Sequence, residues 1–398
     1  MWCGSASAGQ GVLAHVLRPS IRLFASLCIA GSATCGTTGD SAAPAGPPQR
    51  TASVDLRIGV EEGGDEETFS GVTGLALDAR GRIYAADRAS SEVRVFAPDG
   101  TFRFRIGRQG AGPGEFNGLC CLGFDRTGRL WVRDGGNARY NVFAVGDDAA
   151  SFLFSVRMAH ADVNFWAPVH FDDTGHVIDI GHRPRGDRLD LVHLHLDTTG
   201  VVVDSVNIPA TPTDSIGVRV IERATPQGMA RRYLYPPFGP LELLAHGSGG
   251  EYAKAVSSVY RIAWYDPDGV LQRVIERPDV QTGAAVTAEE RAQAEERSSR
   301  DAQRFNLSAS ERFPVPDHKP PLSSLAFDDR TRLWVMRSVE PGSPRRADVW
   351  AGDGTLAFTA EWPADIDLRL HAVITDSIAI AVARDSLDVE RIVRLRWN

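Results

Sequence analysis

The chain has little lysine, little cysteine and no apolar run long enough to cross a membrane. Lys254 and Lys319 are its two lysines, and arginine supplies the remaining positive charge in 398 residues of net charge −8. The basic residues form no cluster, and a net acidic chain of this kind argues against non-specific nucleic-acid binding. The apolar run at residues 23–34 is too short for a transmembrane helix.

This apolar run predicts export. It follows two arginines and leads into small residues before Cys35, a pattern typical of a signal peptide. The residues around Cys35 resemble a bacterial lipoprotein cleavage box. We therefore expect a leader over residues 1–35, lipidation of Cys35 and an extracytoplasmic protein that meets the membrane only through that anchor; ordinary secretion and an internal segment are the alternatives. Residues 36–52 are small, polar and proline-rich, which predicts a flexible linker.

Two adjacent cysteines, Cys120 and Cys121, lie outside the predicted leader. Neighbours on a strand point to opposite faces, and a disulfide between them would be strained. We expect two small apolar core residues, with a redox or metal-binding role as the alternative.

Residues 72–108 and 118–157 repeat one pattern. Each contains an apolar strand, an Asp-x-x-Gly-Arg turn, a strand ending in Asp, a strand ending in Val-Phe and a last strand. A four-strand unit that recurs every ~40–50 residues is typical of a β-propeller blade. Similar units follow at residues 167–209, 241–277 and 322–362.

A sixth unit is incomplete in sequence. Its strands are predicted near residues 368–375, 377–384 and 390–397, and residues 54–58 can supply the fourth strand. This pairing would close the ring and remove an exposed edge. The sequence therefore predicts an all-β fold, a six-bladed β-propeller over residues 53–398 closed by an N-terminal strand.

Two insertions interrupt the repeat, at residues 210–240 and 287–304. The second begins with Thr287, followed three residues later by Glu290, which is a capping-box pattern. It predicts a short, mostly polar helix.

Three further motifs connect the chain with a known family. They are the Gly-rich segment 106–116, the Tyr-Asp-Pro-Asp-Gly turn at 265–269 and the Asp-Val-Glu-Arg segment at 388–391. With these motifs the chain resembles bacterial six-bladed β-propeller proteins related to NHL repeats. The resemblance implies the propeller fold. Members with known roles include protein- and RNA-binding modules, a peptide-amidating lyase and calcium-dependent lactonases, so it implies no single activity and no site residue.

The Gly-rich segment lacks the Gly-Lys-Ser/Thr ending of a phosphate-binding loop, and no helix is predicted after it. Its glycines and proline favour a structural crossing between two blades. Arg108 and Glu115 belong to this crossing and are candidates for ligand contact at the rim of a central funnel.

Asp87 and Asp134 end the second strand of the first two units. A ring of carboxylates could bind Ca²⁺, but later units carry Gly181, Val256 and Arg337 at this position. We expect these aspartates to cap turns instead.

His193 and His195 share one face of a predicted strand. A catalytic zinc site needs a third ligand, which the sequence does not identify, so hydrogen-bonded histidines are expected.

His170 and Asp179 replace small apolar residues of the sibling units, and Lys254 takes the place of Asp179 in the fourth unit. We expect His170 and Asp179 to share a face, either as a buried structural pair or as ligand contacts.

The chain has no Gly-x-Ser-x-Gly motif and no clear Ser/His/Asp order. The sequence favours a binding scaffold without a cofactor that recognises a protein, peptide or glycan of the cell envelope. The alternative is a metal-dependent lactonase- or lyase-like hydrolase with Ca²⁺ or Zn²⁺ in the funnel. A site at the funnel mouth would draw on Arg108, Glu115, Asp87, Asp134, His170, Asp179 and Lys254.

Overall fold

The computed structural model describes residues 46–159, 168–185, 188–225, 228–369 and 371–398. The predicted leader with Cys35, and most of the predicted linker, lie outside these residues. No helix in the described ranges is long and apolar enough to cross a membrane.

β-Strands are the main regular structure of the described chain. Strands β1 to β13 span Gln49–Ile58, Val72–Leu77, Ile83–Asp87, Glu92–Phe96, Phe102–Ile106, Leu119–Phe124, Leu130–Asp134, Arg139–Val145, Ala150–Arg157, His170–Phe171, Val177–Arg185, Arg188–Leu196 and Val202–Asn207. Strands β14 to β26 span Arg219–Thr225, Gly228–Leu234, Glu242–His246, Tyr252–Val256, Arg261–Tyr265, Leu271–Glu276, Leu322–Phe327, Leu333–Arg337, Arg345–Trp350, Leu356–Trp362, Val373–Ile374, Ile378–Arg384 and Glu390–Trp397. The helices are α1 (Thr213–Ile216), α2 (Ala288–Phe305) and the 3₁₀ turns Gly135–Asn137 and Ala309–Glu311.

Successive groups of four strands form antiparallel sheets, each of which is one blade. Blade 1 contains β2–β5, blade 2 β6–β9, blade 3 β10–β13, blade 4 β16–β19 and blade 5 β20–β23. Blade 6 contains β24, β25 and β26 together with β1 from the other end of the chain. The predicted six-bladed β-propeller and its closure by an N-terminal strand are confirmed.

Strand β1 covers two sheet edges. Residues 52–58 pair antiparallel with β26, whereas residues 49–51 pair parallel with β23 of blade 5. The strand therefore begins at Gln49, and the prediction that residues 49–52 belong to a flexible linker is wrong. The reason is that residues 49–51 form hydrogen bonds with the outer edge of β23 in blade 5, for which the repeat pattern predicted no partner strand.

Apolar clusters hold neighbouring blades together. They lie between blades 1 and 2, 2 and 3, 4 and 5, 5 and 6, and 6 and 1. In the last of them, Ile58 of β1 and Ile392 of β26 pack with Leu75 and Ile83 of blade 1. Burial of these side chains is the main force that stabilises the ring. Among the described residues, no such cluster lies between blades 3 and 4.

One aspartate fixes the first hairpin in each of three blades. Asp125 accepts backbone hydrogen bonds from the residues two and four positions on, at 2.9 and 3.0 Å. It also accepts from Arg129 Nε at 2.7 Å and from Trp131 Nε1 at 2.8 Å. Asp328 makes the same set of contacts at the same spacing. Asp78 does so as well, with the Tyr84 hydroxyl in place of the tryptophan N–H. The repeated Asp-x-x-x-Arg pattern is therefore a buried network that sets each hairpin.

Cys120 and Cys121 form a disulfide, so the prediction of two unbridged core cysteines is wrong. A β-bulge lies between Cys120 and Leu122, and Cys121 has a φ of 49°. The bulge interrupts the alternation of side chains along β6, and that alternation was the basis for expecting the two thiols to point apart.

The turns of the ring fall at two ends because the strands of each blade alternate in direction. The end that holds the first and third turns of each blade is called the hairpin end. The other, the connector end, holds the second turn of each blade and the connections between blades. There Gly135 donates to the Gly118 carbonyl at 3.2 Å, and Ser257 donates to that of Leu241 at 2.8 Å. Both insertions are connections that flank blade 4, so both lie at the connector end.

The predicted helical insertion is confirmed as α2. Thr287 is its N-cap, and the side chains of Thr287 and Glu290 form the expected capping box. Ala294 and Ala302 are its buried residues, so most of the helix faces solvent.

Removal of β1 should destabilise the propeller. A variant that lacks residues 1–58 exposes the edges of blades 5 and 6 and removes Ile58 from the closing cluster. We expect the free energy of unfolding to fall by at least about 3 kcal/mol, the typical cost of deleting one large buried side chain. A variant that begins at Pro47 keeps β1 and is the control in denaturant melts. Equal melts of the two truncated proteins would contradict the closure.

Candidate functional site

Arg108 and Glu115 lie in the connection from blade 1 to blade 2, at the connector end. The Glu115 carboxylate accepts the Gly112 N–H at 2.9 Å and pairs with the Arg108 guanidinium at 2.7 Å. Phe116 N–H donates to the Arg108 carbonyl at 2.8 Å and closes the loop. The Glu115 carboxylate thus already accepts the hydrogen bond from the Gly112 N–H that a bound phosphate would need.

Asp87 and Asp134 are buried at the ends of β3 and β7. Asp87 accepts the Ala89 N–H at 3.0 Å and pairs with Arg94 at 3.2 Å. Asp134 accepts the N–H of Asn117 at 2.8 Å and also pairs with Arg139. Both aspartates cap turns and are neutralised locally, which agrees with the turn-capping interpretation.

Lys254 is buried within blade 4. Its ammonium group pairs with Glu242 at 2.6 Å and donates to the Pro209 carbonyl. Its charge is therefore satisfied between blade 4 and the connection that precedes it.

His170 and Asp179 lie on opposite faces of blade 3, so the prediction that they share a face is wrong. His170 pairs with Ile178 in the register of β10 and β11, and the next residue, Asp179, therefore points the other way. Asp179 faces blade 2, where it accepts from the Tyr140 hydroxyl at 3.0 Å and the Ala159 N–H at 3.1 Å. Burial raises its pKa.

A cavity of about 20 Å³ lies beside both residues and is also lined by Arg133, Tyr140 and His246. It has room for about one water molecule. This is far smaller than the space that an organic ligand requires.

Histidine and tyrosine side chains fill the interface between blades 3 and 4. His193 of β12 and His246 of β16 approach to 2.8 Å between their Nε2 atoms. The His170 ring packs on His246 with centroids 5.3 Å apart, and Tyr252 packs edge-on against His193 at 4.9 Å. His193 Nδ1 and the Tyr252 hydroxyl are buried without a hydrogen-bond partner in the described part of the chain. This interface is thus polar where its siblings are apolar.

Blade 3 also modifies the aspartate-fixed hairpin. Asp172 accepts from His195 Nδ1 at 2.7 Å and from His176 Nδ1 at 3.2 Å, where its counterparts use arginine and an aromatic ring. Both histidines of β12, His193 and His195, are hydrogen-bonded, as expected from the sequence.

Burial keeps the interface histidines neutral. It lowers the pKa of His170 to about 4. Burial, together with the charge of His195, lowers the pKa of His193 to about 3, and burial also depresses that of His246. Two neutral imidazoles can share one proton across the Nε2 contact, but a second proton would place a poorly solvated charge between the blades.

The seven predicted residues do not converge on one site. Arg108, Glu115, Asp87 and Asp134 lie at the connector end in local pairs, whereas the His170 ring belongs to the interface near the hairpin end. Within the described ranges, no group of three or more His, Cys, Asp or Glu side chains is placed to hold a metal ion.

A further candidate for a ligand site is a trough between the two insertions, called the insertion groove. Its first lobe, of about 490 Å³, lies between residues 234–238, one face of α2 and residues 307–313. Its second lobe, of about 380 Å³, continues between residues 236–240 and 313–321. The lobes share Pro236, Pro237, Phe238 and Phe313. Both volumes lie in the range of ligand pockets.

The walls of the insertion groove are tied together. Arg219 of β14 donates to the Ser310 carbonyl at 2.8 Å, and Arg223 pairs with Glu311 at 2.8 Å. Arg291 of α2 donates two hydrogen bonds to carbonyls of the following loop, at 3.0 and 3.2 Å. The groove is therefore preformed, which lowers the entropic cost of binding.

Sequence reasoning missed His246 and the groove. His246 stands where the other blades carry apolar residues, and this polar exception was an available signal. The apolar residues at that position are Leu77, Phe124, Phe171 and Phe327. The groove had a weaker signal, the prolines concentrated in two segments far apart in sequence, residues 236–240 and 314–321. They are Pro236, Pro237, Pro240, Pro314, Pro316, Pro320 and Pro321.

Comparison with a family model agrees with the fold. A family model described as a 6-bladed beta-propeller matches residues 65–128, which include blade 1 and the first strand of blade 2. No curated protein matches the chain. The solved structures similar to it include virginiamycin B lyase from Staphylococcus aureus, at 9% identity over 87% of this chain and 99% of that one, with a TM-score of 0.42. A gluconolactonase from Xanthomonas campestris is 12% identical over 86% of this chain and 98% of that one, with a TM-score of 0.33.

Stability should fall as the interface histidines become protonated. The pKa values of His170 and His193 are lower in the folded chain than the ordinary value of 6.5. The unfolded chain therefore binds protons first, and unfolding becomes easier as pH falls from about 6.5 towards 4, by up to about 1.4 kcal/mol per pH unit for each group. Denaturant melts across this range measure the slope.

The double substitution His193→Leu/His246→Leu should make this slope shallower. His318→Gln, at an exposed position, is the matched control and should leave it unchanged. A wild-type slope in the double variant would show that these histidines do not set the acid sensitivity.

Proposed function

We propose that the protein is an extracytoplasmic binding scaffold that recognises a protein, peptide or glycan ligand of the bacterial cell envelope. The observation that supports this function is the insertion groove. It is a preformed trough of two lobes, and the closed ring holds both of its walls through blade 4.

The groups that line the groove favour binding over acid–base catalysis. The hydrogen bond from Arg223 lowers the pKa of Glu311 to about 2. Burial opposes ionisation of Glu290, but the hydrogen bond and charge of Lys319 together with the hydrogen bonds from Thr287 outweigh that effect and lower its pKa. Both carboxylates are therefore ionised and paired at neutral pH, whereas a general acid or base works best with a pKa near that pH.

The expected leader supports the location. Export followed by lipidation of Cys35 would anchor the propeller to the membrane through residues 36–48. In cells fed radiolabelled palmitate, we expect label in the wild-type protein and none in a Cys35→Ala variant. Equal labelling of the two proteins, or none in the wild type, would contradict the anchor.

The binding function can be tested by filling the groove. Ser298 lies on the face of α2 that lines the first lobe, and Ser299 is exposed beside it. Ser298→Trp should abolish saturable binding of envelope components because the indole occupies the lobe. Ser299→Trp is the matched control and should retain it. Binding is measured by quantitative capture from envelope extract of the source bacterium, after melts show that both variants fold. Equal capture by the two variants would contradict a role for the groove.

A further inference from the structure

Two arginines on the wall of the first lobe are free to contact a ligand. Arg297 belongs to α2, and Arg312 follows the 3₁₀ turn Ala309–Glu311. Both are exposed, and neither side chain has a hydrogen-bond or ion-pair partner among the described residues. The neighbouring Arg291 differs, since it is held by Asp317 and two loop carbonyls.

The acidic residues of this lobe leave most of that positive charge uncompensated. Glu290 binds Lys319 and caps α2, and Glu311 binds Arg223. Asp301 is the one lining carboxylate that has no partner within the described chain. The free charge of the lobe is thus two guanidinium groups against one carboxylate, in a protein whose net charge is −8. The lobe is complementary to an anionic group.

The second lobe is complementary to apolar side chains. Prolines and two phenylalanines, Phe238 and Phe313, form most of its lining. Prolines have no N–H and offer no main-chain donor. Sugar hydroxyl groups placed against this surface would lose water without gaining partners, which is unfavourable. Proline rings and apolar side chains of a peptide would lose no such contacts.

We infer that the ligand of the insertion groove is an extended peptide that places apolar residues in the second lobe and a carboxylate between Arg297 and Arg312. This inference rests on the proposed binding function and adds the class of ligand. The two lobes share Pro236–Phe238 and Phe313, so a single extended chain can occupy both. A guanidinium group matches a carboxylate through two parallel hydrogen bonds. The carboxylate is that of a side chain or of a peptide C-terminus.

Fluorescein-labelled peptide pools test this ligand class by fluorescence anisotropy. Each pool has six positions randomised among proline, leucine and phenylalanine. The first pool ends in Glu with an amidated C-terminus, the second in Gln with a free C-terminal carboxylate, and the third in Gln with an amidated C-terminus. Labelled tetragalacturonate represents an acidic glycan. The proteins are the wild type, Arg297→Gln/Arg312→Gln and Arg300→Gln. Arg300 is on the same helix, outside the groove, in an exposed pair with Glu296.

We expect the wild type to bind at least one carboxylate-bearing pool about 5- to 10-fold more tightly than the uncharged pool, as for one charge-assisted contact at a partly exposed site. Comparison of the first two pools identifies the source of the carboxylate. The double variant should bind that pool as weakly as the uncharged pool, whereas Arg300→Gln should match the wild type.

Equal binding of all three pools, or a preference for acid that survives in the double variant, overturns the carboxylate assignment. Tighter binding of tetragalacturonate than of every pool, or no binding of any pool, overturns the peptide assignment. A separate result would contradict the proposed function: equal capture of envelope components by Ser298→Trp and Ser299→Trp. That result is independent of how the peptide pools bind.

Discussion

Each blade has two faces to bury, and a ring of blades can bury all of them only if the last blade packs against the first. The chain meets this requirement by pairing β1 with the last strand, β26, in one sheet. Strand β1 pairs with β26 in blade 6 and continues along β23 of blade 5. Asp55 reinforces the junction through Arg394 and Arg396, both at 2.7 Å. The connections before and after blade 4 both emerge at the connector end, and the two insertions that they carry form a groove.

The interface between blades 3 and 4 departs from this apolar scheme. Hydrogen-bonding histidine and tyrosine side chains replace the mostly apolar side chains of the other interfaces, and some of their buried polar atoms lack partners among the described residues. Such atoms reduce stability. Blade 4, which forms one side of this interface, is also linked to the insertion groove. The connection before blade 4 and the connection after it each form one wall of the groove. The histidines of this interface lie near the hairpin end of the ring, whereas the insertion groove lies at the connector end.

Local patterns predicted the fold well. The repeat with its Asp-x-x-Gly-Arg turns identified the blades because each turn is stabilised by contacts within six residues. The capping box at Thr287 identified α2 for the same reason. Features that depend on strand register were missed. An offset of one residue places Asp179 and His170 on different faces of the sheet, and a bulge at Cys121 brings two neighbouring thiols together. The groove joins insertions far apart in sequence, and no local pattern indicates that they meet.

The central claim is that β1 is an integral strand of the closed ring. Native-state hydrogen exchange followed by mass spectrometry tests it most directly. Backbone amides of core strands exchange through global unfolding, whereas those of frayed ends exchange quickly. The account predicts that the amides of residues 52–58 exchange as slowly as those of β25 and β26. Rapid exchange of this segment beside a protected β26 would contradict it.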